Sequence, residues 1–256
     1  MDNTERKGCA AVSWLKNAKS TSKPYEDRYR LLTKDISIVG KSGRGELFAV
    51  LDGIGGAPRG MQAAQAVADC LLDFYRKPEN ITADSLGLNE LLLQYNQTIN
   101  DWGCMEGTDR PLGGAAGTIA WIHDQRLTLF HAGDTAGILL RENHLPRVLT
   151  GLHEFDGGIT RYFGLGRRLE LEVKSERLVH GDLILLVSDG VTKAYSTTEA
   201  ANLVQEIYDK TGDIGMASQE LVIRSRNKKS IDDITAMVIE IEEDWRGDKG
   251  DSAPAG

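Results

Sequence analysis

Four short segments set an aspartate beside a glycine or a second acid at the edge of a hydrophobic run. They are Leu51-Asp52-Gly53-Ile54-Gly55-Gly56, Ala132-Gly133-Asp134-Thr135, Val187-Ser188-Asp189-Gly190 and Ile231-Asp232-Asp233-Ile234-Thr235. A carboxylate at the end of a buried strand is costly unless a cation meets it. Carboxylates spread over most of the chain therefore point to a common meeting place, and hard divalent ions such as Mg²⁺ or Mn²⁺ suit that donor set. Glycines after Asp52 let the backbone bend and offer carbonyl oxygens as further donors. Glu26-Asp27, ahead of Arg28-Tyr29-Arg30, is one more acidic pair at the start of a strand-like run.

The elements that carry these turns come in blocks. Cys9–Leu15 and Arg28–Leu32 read as strands, and Asp35–Val39 with Glu46–Leu51 as a hairpin around Lys41-Ser42-Gly43-Arg44-Gly45. Two helices follow. Met61–Tyr75 puts Ala64, Val67, Ala68, Leu71 and Leu72 on one face, and Asp84–Trp102 repeats the spacing with Leu86, Leu91, Leu92, Tyr95 and Ile99. Ser85 is the expected cap of the second. Five strands come next, at Gly117–Ile122, Leu127–Ala132, Gly137–Arg141, Leu169–Glu176 and Asp182–Val187, with Asp134 in a hairpin turn. Helices at Thr197–Lys210 and Gly215–Ser225 and a strand at Ile234–Ile241 complete the order. This pattern predicts an α+β fold: a four-layer α-β-β-α sandwich of two mainly antiparallel sheets flanked by helix pairs, its aspartates on one rim. One domain is expected over 1–245, with a disordered tail over 246–256 rich in Gly, Asp, Pro and Ala.

Composition narrows the function. The chain has 256 residues, 41% of them hydrophobic, and a net charge of −8. An acidic surface argues against a nucleic-acid or anionic-membrane binder. Three cysteines, Cys9, Cys70 and Cys104, show no C-x-x-C spacing and predict a reducing compartment. The polar N-terminus and the lack of an apolar run near ~20 residues predict a soluble cytoplasmic protein.

Taken in order, the motifs resemble those of the metal-dependent PP2C-type (PPM) serine/threonine protein phosphatases in their compact bacterial form. The matching pieces are Glu26-Asp27, Asp52–Gly56, Gly117-Thr118, Gly133–Thr135, Ile159–Gly164, Ser188–Val191 and Asp232–Thr235. The resemblance implies that Asp52 bridges two metal ions with the Gly53 carbonyl as a further ligand. Asp189 and Asp232 would complete the first ion, and Glu26 and Asp27 would hold the second, partly through water. Asp134, with Asp189, matches the place of a weaker third ion. The implied reaction is in-line attack on phosphoserine or phosphothreonine by a metal-bridging hydroxide, with no covalent phosphoenzyme. The implied partners are phosphorylated proteins, a cognate Ser/Thr kinase and its substrates.

Several positions depart from the family pattern. The phosphate-gripping Arg expected four residues before Glu26 is Ser22, leaving Lys23, Arg28 or Arg59 as candidates, with Lys23 the nearest. A Lys lacks the bidentate fork of Arg. Ile54 stands where some members carry a general-acid His, and His153 lies in a loop that could approach. Asp233 replaces the usual Asn and adds a carboxylate beside the site. The segment from Arg141 to Gly158 is short for a flap and is expected to leave the cleft open to a protein substrate. The missing Arg motivates an alternative of a different class, a pseudophosphatase that binds phosphoproteins without turnover.

Overall fold

The computed structural model describes residues 3–17 and 24–242. In chain order its elements are β1 (Thr4–Lys7), β2 (Ala10–Leu15), β3 (Arg28–Leu32), α1 (Ser37–Ser42), β4 (Glu46–Gly53), α2 (Gly60–Cys70), α3 (Asp73–Arg76) and α4 (Ser85–Asn100). Then come β5 (Ala115–His123), β6 (Arg126–Ala132), β7 (Ala136–Leu140), β8 (Arg147–Val148), β9 (Glu154–Phe155), β10 (Gly158–Ile159), β11 (Glu172–Arg177) and β12 (Leu183–Val187). The remainder is α5 (Asp189–Thr192), α6 (Thr197–Thr211), α7 (Ile214–Asn227) and β13 (Ile234–Glu240).

Alternation along the strands builds the layers. In β4, Leu47, Ala49 and Leu51 pack outward against α2, α3 and α4, whereas Phe48 and Val50 pack inward. In β12, Leu183, Leu185 and Val187 pack outward against α6 and α7, whereas Ile184 and Leu186 pack inward. Both inward sets meet in one core between the sheets. A strand with apolar residues on both faces must be covered on both, so the result is an α-β-β-α sandwich. One sheet runs β1-β2-β13-β12-β7-β8 and the other β11-β6-β5-β4-β3, and their pairings are antiparallel.

Local departures from expectation have identifiable causes. Residues 35–39 do not form a strand: Leu32 already pairs with Leu47, so 33–45 is a connection. There Ile36 O accepts from the N–H groups of Val39 and Gly40, and Gly43 ends α1 at φ 64°. The helix expected over 61–75 divides into α2 and α3, yet Leu71, Phe74 and Tyr75 stay buried. Asp84, not Ser85, caps α4, accepting from Gly87 N at 2.7 Å. The turn at Asp134 is not a hairpin, because β6 and β7 belong to different sheets.

Candidate metal centre

The acidic turns meet because the strands that carry them end at the same rim. Asp52 follows Phe48 and Val50 in the two-residue alternation and so points inward at the end of β4. Arg28 pairs with Leu51, which sets Asp27 at the level of Asp52. Val187 pairs with Ala236, so the chain leaving β12 at Ser188-Asp189 passes the chain entering β13 at Asp232-Asp233. Ser188 N donates to Thr235 O at 3.0 Å, and Thr235 N to Ser188 Oγ at 2.9 Å. Asp134 arrives on the crossing from one sheet to the other. Gly190 makes the closest approach: a Cβ there would lie 2.0 Å from the Asp233 carbonyl oxygen, so any other residue would push α5 off the Asp232 turn. Arg226 of α7 holds that turn from behind through the carbonyls of Lys16, Ser230 and Asp232.

Glu26, Asp52, Gly53, Asp134, Asp189 and Asp232 line one cleft of about 550 Å³. Asp52 and Asp189 lie close enough for each to influence the other's charge. Asp27 lies behind them, fully buried, and accepts from Thr235 Oγ1 at 2.5 Å. The Thr235 hydroxyl also pairs with that of Tyr25. Burial, then the neighbouring carboxylates, raise the acids of this group: Asp27 to about 8, Asp134 to about 6, and Asp52 well above the ordinary range. Burial also raises Asp189, against the pull of Lys193.

The donor set fits divalent ions. Buried oxygens of Asp27, Asp134 and Asp189, each Oδ1, have no hydrogen-bond partner. Such orphaned acceptors are costly and rare in native proteins. Hard oxygen donors converging on one cleft, short of partners and crowded with negative charge, suit Mg²⁺ or Mn²⁺.

Lys193 and Arg110 escape sequence reasoning, and Asp233 takes a different role from the one its place in the sequence suggests. Lys193, at the end of α5, places its Nζ against Asp189 Oδ2 and 2.9 Å from Asp232 Oδ2. The i,i+4 spacing from Asp189 was its sequence signal. Asp233 is not a spare ligand. Its two oxygens accept from the backbone N–H groups of Asn17 and Glu26 at 2.6 and 2.5 Å, so it holds Glu26 at the rim. Asp233→Ala removes both hydrogen bonds and is expected to cost about 2–4 kcal/mol, read as a lower midpoint in urea. Arg110 is a further cation lining the cleft.

Other candidates sit elsewhere. Lys23 and Ser22 lie outside the described residues. Arg28 binds the carbonyls of Tyr25 and Asp27 and the Gln65 side chain, and Arg59 stacks on Trp102 at 4.5 Å. The segment 141–158 carries β8 and part of a small hairpin whose Glu154, Gly157 and Ile159 edge the cleft. His153 does not line it. Its Nδ1 accepts from Gly133 N at 3.1 Å, and its Nε2 lies 3.4 Å from Glu172.

His131, His153 and Glu172 cluster closely enough to suggest a second metal. Yet His131 Nε2 gives its proton to the Gly151 carbonyl at 2.8 Å, and its Nδ1 meets the Thr118 hydroxyl at 2.9 Å. Both ring nitrogens are engaged, and burial lowers the His131 pKa to about 4. The cluster is a hydrogen-bonded brace under the Gly133-Asp134 turn.

The model of the stage II sporulation protein E (SpoIIE) family matches residues 47–242. No curated protein sequence matches the chain. Solved structures do. The chain is similar to PppA, a regulatory component of the type VI secretion system of Pseudomonas aeruginosa, with 22% identity and a TM-score of 0.71 over 90% of this chain and 96% of that one. It is similar to the catalytic domain of the serine/threonine phosphatase PstP, solved with two manganese ions, with 21% identity and a TM-score of 0.72 over 91% and 98% of the two chains. The S. agalactiae serine/threonine phosphatase gives 19% identity and a TM-score of 0.72 over 91% and 100%. These likenesses establish the PP2C phosphatase fold.

Proposed function

Because the chain belongs to the SpoIIE family and has the PP2C phosphatase fold, we propose that it is a metal-dependent phosphatase that hydrolyses phosphoserine and phosphothreonine on proteins. One observation supports this most: carboxylates from five separate segments line or back a single open cleft, and three of their buried oxygens lack partners. Asp52 and the Gly53 carbonyl, with Asp189 and Asp232, would hold one ion. Glu26 with Asp27, and again Asp52, would hold the other.

When bound, two such ions would acidify the water they share and screen the charge of the phosphoryl oxygens. The protein's own share is positional. The inward pitch at the end of β4 aims Asp52 into the cleft. Asp233 fixes Glu26 through its backbone N–H. Thr235 holds one oxygen of Asp27 and leaves the other open. Without cations the acidic cleft repels a phosphate dianion, so the same residues that hold metal make substrate binding depend on it. Arg110 and Lys193 are the cationic side chains lining the cleft among the described residues.

The binding-module alternative is not favoured, since none of the first-ion carboxylates is missing. The proposal extends to a single catalytic unit over residues 1–245 and to a cytoplasmic bacterial signalling role opposite a Ser/Thr kinase, for which the bacterial neighbours are the support. Among the described residues no helix is long and apolar enough to cross a membrane. The metal-stripped protein should leave a phosphothreonine peptide intact, and millimolar Mn²⁺ should restore phosphate release. A folded protein inert with both Mn²⁺ and Mg²⁺ refutes the proposal.

A further inference from the structure

Lys193 lines the cleft, and the proposed chemistry does not use it. Its Nζ lies between Asp189 and Asp232, carboxylates from two different turns, and it faces Asp134 across the same corner. The corner is where the metal cleft joins a second groove of about 460 Å³; Asp134, Glu154, Asp189 and Lys193 line both. Asp134 Oδ1 and Asp189 Oδ1 are buried there without partners. By donor type the corner suits a further divalent ion.

We propose that Lys193 is a tethered cation that fills this corner in place of a third metal ion. This rests on the reading of the cleft as a divalent-metal site. An ammonium 2.9 Å from Asp232 and in contact with Asp189 supplies one positive charge beside the place an ion held by Asp134 and Asp189 would take, in the groove that all three residues line. A divalent ion entering there would have to displace the ammonium or be repelled by it at short range. Its two partners, Asp189 and Asp232, are also carboxylates proposed for the first ion; that ion would reach Asp189 through Oδ1, which stays open, together with Asp52 and Gly53, and Glu26 of the second ion is not a partner of the ammonium. The tether is local. Lys193 caps the short helix that begins at Asp189, so the charge is delivered by the same turn that delivers the ligand. Glu154 adds further negative charge at the edge of the corner and favours the cation staying.

The test is Mn²⁺ calorimetry on the metal-stripped full-length chain, with thermal unfolding in EDTA and in Mn²⁺. The wild type should bind two Mn²⁺ per chain. Lys193→Met and Lys193→Gln should bind three, have lower midpoints in EDTA than the wild type, and gain more from saturating Mn²⁺. Lys193→Arg should stay at two. The Lys193 side chain is about half exposed, so these variants are expected to fold. Two ions in the wild type and the same two, with unchanged affinity, in Lys193→Met and Lys193→Gln would overturn the inference and leave the phosphatase reading standing. No Mn²⁺ binding by any of the proteins would overturn both.

Discussion

Asp52→Asn abolishes Mn²⁺-dependent phosphate release, by about 10³-fold or more, while raising the thermal midpoint of the metal-free protein. The two effects have one origin. Asp52 feels Asp27, Asp189, Asp134 and Asp232 together, and burial compounds their repulsion. Four acids oppose Asp52 in the metal-free cleft, so a cation that meets its carboxylate relieves all of them at once. Asn keeps its shape and removes one negative charge. A metal that needs the bridging carboxylate is lost, and the empty cluster relaxes. Phosphate release from a phosphothreonine peptide measures the first effect, and calorimetric unfolding in EDTA the second. An active Asp52→Asn protein would remove this residue from the site. A less stable one would show that the carboxylates do not strain the metal-free fold.

The metal-free chain should also lose stability as pH rises from about 4 to 8, contrary to the usual behaviour of carboxylates. Asp27, raised to about 8, and Asp134, raised to about 6, keep protons in the folded state that the unfolded chain has released. An unfolded aspartate titrates near ~4. Within that window the native state therefore binds more protons than the unfolded state, and the slope of unfolding free energy against pH is negative. The contribution is fully present below the unfolded pKa and is lost as pH climbs through the folded values. A midpoint roughly 5 °C lower at pH 8 than at pH 6 is a reasonable size for a domain of this length. Saturating Mn²⁺ should flatten the curve, because the ions then supply the positive charge. Mn²⁺ binding should accordingly release more protons at pH 6 than at pH 8.5, measurable from the dependence of binding heat on buffer ionisation enthalpy. A midpoint that rises with pH in EDTA would contradict this account.

Much of the architecture can be read along the chain because strands with apolar residues on both faces demand two covers. Leu47–Leu51, Leu183–Val187 and Ile234–Ile239 carry that demand in their composition, and the helical faces of 61–75 and 197–210 answer it. The aspartates at Asp52, Asp134, Asp189 and Asp232 were likewise visible as acids at the edges of buried runs, where only a cation relieves them. Their order and spacing carried the resemblance to the PP2C-type phosphatases, and that resemblance implied the chemistry. Order and spacing were not enough to place α1, because the pairing of Leu32 with Leu47, a contact across the connection, decides that 35–39 cannot be a strand.

Side-chain partnership belongs to the tertiary structure. Asp233 looks like one more ligand in sequence, yet the fold brings two backbone N–H groups to its oxygens and makes it a clamp on Glu26. Arg28 and Arg59 are equally cationic in sequence, but local carbonyls and an indole ring claim them. Lys193 becomes part of the cleft only because Gly190 lets α5 lie against the Asp232 turn. The amino-acid order sets which groups carry charge and how often apolar residues recur, since both are properties of single residues and their spacing. Which charge meets which partner depends on distances between chain segments far apart in sequence, and those exist only once the two sheets have closed on each other.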